Sequence, residues 1–286
     1  MEMLAAAGTL SAWRDALASF RSHLAASRFG GLVLDYDGTL CSESERRGPL
    51  PEEAAKQLER LLRAGAVIGV ATGRGKSVRA SLQAAISPRW WAKVIIGYYN
   101  GAEVGTLDDD GRPDGSEQPC EPLCPLAALL RSSPLLLGAA FCTFRPYQIT
   151  IQPAEGAAPW GLWDRIQQLV LSLPSTGAVA LRSGHSVDVV APGVSKLAVV
   201  VRVRQAVGVE RDVLCIGDRG RWPGNDHALL ATPYSLSADE VSADPAACWN
   251  LAPAGHRGLQ ATLGYLRRLS RRGGFLTFDG SGWNDA

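Results

Sequence analysis

The stretch Gly31-Leu-Val-Leu-Asp-Tyr-Asp-Gly-Thr-Leu40 constrains this chain most, because an unbroken apolar strand runs straight into two carboxylates, Asp35 and Asp37, and then into a glycine. A strand without polar alternation is buried on both faces, as in a parallel sheet covered by helices. The acids then stand at the carboxyl edge of that sheet, where the ligands of open α/β folds gather. A carboxylate pair there can hold a divalent cation and offer one oxygen as a nucleophile.

At 286 residues the chain is longer than one typical domain, so a large domain carrying an inserted one, or two domains, is expected. Its net charge of +1 gives no long-range attraction for nucleic acid or an anionic membrane. No apolar run reaches the roughly 20 residues that span a bilayer. The opening Met1 to Gly8 carries Glu2 and no basic region, which argues against a secretory signal. The expectation is a cytoplasmic protein. Cys41, Cys120, Cys124, Cys142, Cys215 and Cys248 show no paired CxxC spacing and read as reduced structural thiols. A zinc site at Cys120 and Cys124 would need two further ligands that the sequence does not supply.

Strand and helix signals alternate from Gly30 to Asn100: strands at Leu32–Tyr36, Val67–Ala71 and Val94–Gly97, helices at Pro51–Arg63 and Lys76–Ile86. Such βαβ units build a parallel sheet. The pattern changes after an acidic, turn-like segment, Asp108 to Glu121. Alternating strands at Phe141–Phe144 and Gln148–Gln152, a helix at Trp160–Leu173, and strands at Ala178–Leu181 and Ser186–Val190 form an α+β block. The βα rhythm then resumes, with a helix from Val194 to Val207, the strand Val213–Gly217 and a last helix near Arg257–Arg271. The fold class expected is α/β, a Rossmann-like parallel core with an inserted α+β cap. Its divisions are an N-terminal helix over 1–29, core over 30–100, cap over 101–185, core again over 186–272, and a poorly ordered tail over 273–286.

Later strands bring partners to the two acids. Thr72-Gly73-Arg74 follows the second strand and opens a helix, where free N–H groups and the helix dipole favour an anion, so Thr72 and Gly73 are phosphate-binding candidates. Asp218 ends the strand Val213–Gly217, and Asn225 and Asp226 follow a loop later. Lys196, at a helix start, can offset clustered carboxylates and a bound phosphate. In order along the chain, Asp35-Tyr-Asp37-Gly-Thr39, Thr72, Lys196 and Gly217-Asp218 through Asp226 resemble the motifs of the haloacid dehalogenase (HAD) superfamily of phosphotransferases. The long interval between the second and third motifs resembles the type II capped (C2) branch, which includes Cof-like sugar phosphatases and sucrose- and trehalose-phosphate phosphatases. One departure stands out: Arg219-Gly-Arg-Trp-Pro-Gly224 is inserted where the family runs Gly-Asp-x-x-Asn-Asp.

The resemblance implies a Mg²⁺-dependent phosphomonoester hydrolase acting on a sugar phosphate or similar small phosphorylated metabolite. Asp35 would be the nucleophile and Asp37 the acid/base. Asp35, Asp218 and the Asp37 carbonyl would hold the metal, with Asp226 second in line, while Thr72, Gly73, Lys196 and Asn225 would bind phosphate. Arg145, Tyr147, Arg182 and His185 of the cap, and Arg219, Arg221 and Trp222 of the insertion, are specificity candidates; the two loop arginines either meet a second anionic group of the substrate or pair with acids such as Asp226 or the Asp239-Glu240 segment. The alternatives are a nucleotide or nucleic-acid-end phosphatase, suggested by Trp222 and the extra arginines, and a binding module without catalysis. Nothing in the sequence distinguishes a monomer from a dimer.

Overall fold

Helix α1 (Leu10–Ala26) leads into β1 (Phe29–Asp35), whose seven residues are all buried. The computed structural model describes residues 8–133, 139–155 and 160–281. After β1 come α2 (Glu52–Arg63), β2 (Val67–Ala71), α3 (Lys76–Ala85), β3 (Val94–Tyr98) and β4 (Glu103–Thr106). Helix α2 forms where Glu52 and Glu53 meet the positive end of its dipole and Arg60 and Arg63 the negative end; Gly65, at φ +98°, turns the chain out of it. A second block follows, with α4 (Cys124–Ser132), β5 (Ala140–Phe144), β6 (Gln148–Pro153), α5 (Trp160–Ser172), β7 (Val179–Arg182) and β8 (Val187–Val190). The chain closes with α6 (Leu197–Val207), β9 (Asp212–Arg219), α7 (His227–Leu230), β10 (Ser235–Glu240), α8 (Leu259–Arg267), β11 (Leu269–Arg272) and β12 (Phe275–Phe278).

The larger sheet runs β10-β9-β1-β2-β3-β4, parallel except where β4 turns back along β3. The smaller is antiparallel, in the order β5-β6-β8-β7. Leu32, Leu34, Ile68, Val70 and Ile96 face one side of the large sheet with Leu58, Leu61 and Leu62 of α2. The small sheet buries Ile149, Ile151, Val187 and Val189 against Leu126 and Leu130 of α4 and Ile166 of α5. This is the α/β core with an inserted α+β cap expected from the sequence.

One packing contact positions the chemistry. Helix α6 lies on the other face of the large sheet over a diagonal of glycines, Gly31 on β1, Gly69 on β2 and Gly97 on β3. Cβ atoms there would lie 2.7 Å from Val203, 2.8 Å from Val199 and 2.2 Å from Val199, respectively. Val199, Val203 and Val207, each four residues after the last, form the stripe that enters this groove. Close packing there sets the height of the helix start, and with it Lys196.

Several boundaries move. β8 lies in the small sheet, so the cap sheet ends at Val190 rather than at 185, and β4 keeps residues 103–106 with the large sheet. The helix expected near Arg257–Arg271 stops at Arg267, and residues expected in the tail form β12, which pairs with β11 and meets β1 at Phe29–Leu276. Leu276 and Phe278 are apolar alternates of a short hairpin around Gly273-Gly274, a two-residue turn signal that the tail reading passed over. Residues 282–286 of the expected tail, and residues 1–7 of the opening segment, lie outside the described residues. No helix among the described residues is long and apolar enough to cross a membrane.

Candidate active site

Parallel strands deliver their last residues to one edge, and here β1, β2 and β9 place Asp35, Thr72 and Asp218 side by side. Lys196, at the start of α6, enters from the same face. Its Nζ donates to Asp35 Oδ1 at 2.5 Å and to Asp226 Oδ1 at 2.6 Å, and all three side chains are buried. Asp226 Oδ2 accepts the backbone N–H groups of Asp218 and Arg219 at 3.0 and 3.1 Å. Carboxylate oxygens of Asp35, Asp218 and Asp226 fall within 4.8 Å of one another. Two glycines permit this crowding: a Cβ on Gly38 would lie 2.5 Å from Asp218 Oδ2, and one on Gly217 2.8 Å from Asp226 Oδ2. Gly38 also sits at φ +81°, a conformation that L side chains rarely adopt.

The electrostatics leave the cluster short of positive charge. Burial and the Asp226 charge push Asp35 up to about 7 in spite of Lys196. Burial, with Asp226 and Asp35, raises Asp218 well above the ordinary carboxylate range, and Arg219 only partly offsets this. Burial would also raise Asp226, yet Lys196, with the Arg219 N–H and the Asp218 side chain, holds it below its usual value. Lys196 is held charged, because its two carboxylates outweigh the cost of its burial. One ammonium thus serves two of the three buried carboxylates, while Asp218 has only a share of the Arg219 guanidinium, and hard oxygen donors with unbalanced negative charge suit a small divalent cation.

Asp37 lies farther out. Its Oδ1 accepts from Arg74 Nη1 at 3.0 Å, and the same nitrogen donates to the carbonyl of Arg46 at 2.5 Å. Thr72 is buried, and its Oγ1 accepts the N–H of Arg74 at 3.1 Å. A cavity of about 700 Å³ opens above Asp35, Asp37 and Asp218, walled by the core loops and by Arg145, His185 and Asp188 of the cap. Gly73 and Asn225 line it, and Asn225 Oδ1 is buried without a hydrogen-bond partner among the described residues. Burial and the neighbouring Arg46 bring His185 down to about 4, so its imidazole is neutral at pH 7.

The expected specificity residues divide. Arg145 and His185 face the cavity. Arg182, Arg221 and Trp222 border a separate cavity of about 650 Å³ beside α5, and Tyr147 is exposed and lines neither. The reason is the course of the inserted loop. Arg182 N–H donates to the Pro223 carbonyl at 2.8 Å and Asn225 N–H to the Arg182 carbonyl at 3.1 Å, so the loop is stitched to the end of β7 and turns its side chains outward. Trp222 is 57% exposed, with its ring against His227 at 5.5 Å. Arg219 does reach the active-site cavity, but its guanidinium is shared among Asp218, Glu43 and Glu240, so it closes the loop and is not available to a substrate.

Sequence reasoning assigned no role to a buried polar group at the join of the two sheets. Asn100, at φ +57°, donates from Nδ2 to Gln148 Oε1 at 2.8 Å and to Asp188 Oδ2 at 3.1 Å, and Gln148 Nε2 donates to the Gly73 carbonyl at 2.9 Å. The signal was present as polar residues at inward positions of the apolar strands β6 and β8, which a packed sheet tolerates only when they are paired.

No protein-family model matches the sequence, and no curated protein matches it. Solved structures do. A protein described as the HAD subclass IIB sugar phosphatase BT4131 is 19% identical, with a TM-score of 0.51 over 78% of this chain and 93% of its own. Thermoplasma acidophilum 0175 is 15% identical, with a TM-score of 0.53 over 84% and 98%. The Plasmodium falciparum IMP-nucleotidase is 13% identical, with a TM-score of 0.52 over 73% and 64%. At these identities the likeness shows the fold: a HAD-like core carrying an inserted cap.

Proposed function

We propose that this protein is a Mg²⁺-dependent phosphomonoester hydrolase of the HAD type, acting through Asp35 on a small phosphorylated metabolite. The observation that carries this reading is the buried cluster of Asp35, Asp218 and Asp226 around Lys196, at the edge where Thr72 and the start of α3 present an anion site. A binding module without chemistry would have little use for three buried carboxylates beside one ammonium, an arrangement that costs stability. The structural neighbours, a sugar phosphatase and an IMP-nucleotidase among them, support the same reading.

Asp35 and Asp218, with the Asp37 carbonyl, would hold the metal. Asp226 has both oxygens committed to Lys196 and the backbone and would serve as the support behind them. When bound, Mg²⁺ supplies charge that offsets the phosphoryl oxygens and keeps Asp35 ionised. Asp35 attacks phosphorus in line with the leaving oxygen and forms an aspartyl-phosphate. Lys196 and Thr72 hold the transferring group. Asp37, oriented by Arg74, gives a proton to the departing alcohol and then takes one from the water that attacks the aspartyl-phosphate, breaking its bond to Asp35 and releasing phosphate.

Phosphate release from a panel of phosphomonoesters, with Mg²⁺ and with a chelator, tests this. Asp35→Asn should reduce release to background while the circular dichroism of the fold is retained, and chelation should do the same reversibly. Full release by folded Asp35→Asn protein would overturn the mechanism.

A further inference from the structure

The cavity above the carboxylates carries more positive charge than phosphoryl transfer requires. Arg46, Arg47, Arg74, Lys76, Arg145 and Arg219 all line it. Three of these are committed: Arg74 to Asp37, Arg145 to Glu117, and Arg219 to Asp218, Glu43 and Glu240. Among the described residues, Arg46, Arg47 and Lys76 have no carboxylate within ion-pair distance. Asp37 and Glu43 line the same cavity, but Arg74 and Arg219 already engage them, and like charges left on one rim repel one another unless a further anion lies among them.

Their place is fixed relative to the chemistry. Arg74 holds Asp37 and the backbone of Arg46 through one nitrogen, so Arg46 stands a single guanidinium away from the group that faces the leaving oxygen. Lys76, in the first turn of α3, crosses toward Gly115, where a Cβ would come within 3.5 Å of its Nζ. A volume of about 700 Å³ is several times what a phosphoryl group fills, so the rim meets the far part of the leaving group.

Resting on the phosphatase reading above, we infer that the substrate is a phosphomonoester whose leaving group bears a second anionic group, a phosphate or a carboxylate, received by Arg46 with Arg47 and Lys76. From the sequence, Arg219 and Arg221 either meet a second anion or pair with acids such as Glu240. Arg219 takes the second course, with Glu240, Glu43 and Asp218, and Arg221 borders the other cavity, so a second anion falls to the 42–48 loop and the start of α3. Guanidinium groups suit either anion, since their parallel N–H groups match two oxygens of each.

The test compares kcat/KM for p-nitrophenyl phosphate, a hexose monophosphate, the corresponding hexose bisphosphate and a phosphorylated hydroxy acid. The expected result is at least a tenfold preference for the bisphosphate or the phosphorylated acid, whichever of the two is higher naming the anion. Arg46→Gln should lower that preference about tenfold, the scale of one lost charge-assisted hydrogen bond, and Arg46→Lys should restore part of it. Equal kcat/KM across the series, or an Arg46→Gln loss of the same size for every ester, overturns the inference and leaves the phosphatase reading standing. Absence of turnover for all four overturns the phosphatase reading instead. Calorimetric titration of wild type with the hexose bisphosphate and monophosphate then decides the subsite alone: tenfold tighter binding of the bisphosphate supports it, and equal binding refutes it.

Discussion

Two ion-paired sites in this molecule have similar geometry and opposite circumstances. Lys196 meets Asp35 and Asp226 at 2.5 and 2.6 Å with all three side chains almost wholly buried, whereas Arg145 meets Glu117 at 3.0 Å with the glutamate side chain 80% exposed. The first lies where the sheet, α6 and the backbone of β9 hold its members; the second lies on the cap, where solvent screens the exposed glutamate and its side chain can swing away. Distance alone therefore says little about what a pair contributes. Burial decides whether losing a partner strands a charge.

The sharpest way to break the comparison is Lys196→Met, which keeps the volume and removes the charge. Three carboxylates would then be buried with no ammonium among them. We expect a loss of about 3–5 kcal/mol, the range found when one partner of a buried pair is removed, together with loss of turnover. Urea unfolding and phosphate release check both. A stability within about 1 kcal/mol of wild type would show that the cluster relaxes by taking up protons and that Lys196 is dispensable to the fold.

Asp188 probes the join between the two regions. It is buried on β8 and faces Asn100, Thr150, Ser186 and, at longer range, Lys196; burial, which outweighs these partners, pushes its carboxyl up to about 6 from 3.8. A carboxyl raised in the folded state holds its proton there to higher pH than in the unfolded chain. Its ionisation therefore costs stability as pH rises from about 4 through 6, and the cost is constant above that. Two pH units correspond to about 3 kcal/mol at most. Asp188→Asn should be progressively more stable than wild type over that interval and level off beyond it. A difference between the two proteins that does not change from pH 4 to 7 would rule this out.

Gly97→Ala tests how the buried pair is placed. The added methyl would meet Val199 at 2.2 Å, so α6 must lift from the sheet or Val199 must leave its rotamer. Overpacking of this kind costs about 1–3 kcal/mol. If α6 carries Lys196, kcat should fall further than this stability loss accounts for at a temperature where the variant is fully folded. An unchanged kcat in folded Gly97→Ala protein would separate the helix packing from the site.

The same contrast explains what the sequence revealed. Asp35, Asp37, Thr72, Lys196 and Asp218 were legible because each stands at the end of an apolar strand or the start of a helix, and parallel topology carries such ends to one edge. The order of elements in the core was legible for the same reason. Arg182, Arg221 and Trp222 were misplaced because a loop's direction is set by backbone bonds to another element, here from the Arg182 N–H to the Pro223 carbonyl and from the Asn225 N–H to the Arg182 carbonyl, and no periodicity encodes these. Arg46 went unnoticed because its loop reads as a polar connection. Only the fold shows Arg74 holding that loop over Asp37.

Glu117→Gln makes the smallest change and completes the comparison. Glu117 lies in the acidic turn before α4, and its only ion pair among the described residues is with Arg145. An exposed pair gains little Coulomb energy in water and immobilises two long side chains, so measured values run from about 0 to 1 kcal/mol. We expect Glu117→Gln to shift stability by under about 0.5 kcal/mol in low salt and by nothing measurable in high salt, where the screening length falls below the spacing of the cap charges. A loss above 1 kcal/mol that persists in high salt would mean that Glu117 supports the cap through packing, and the exposed pair would no longer stand as the weak member. Within the limit expected, the substitution frees Arg145 from its competing carboxylate, and affinity for an anionic leaving group should hold or rise.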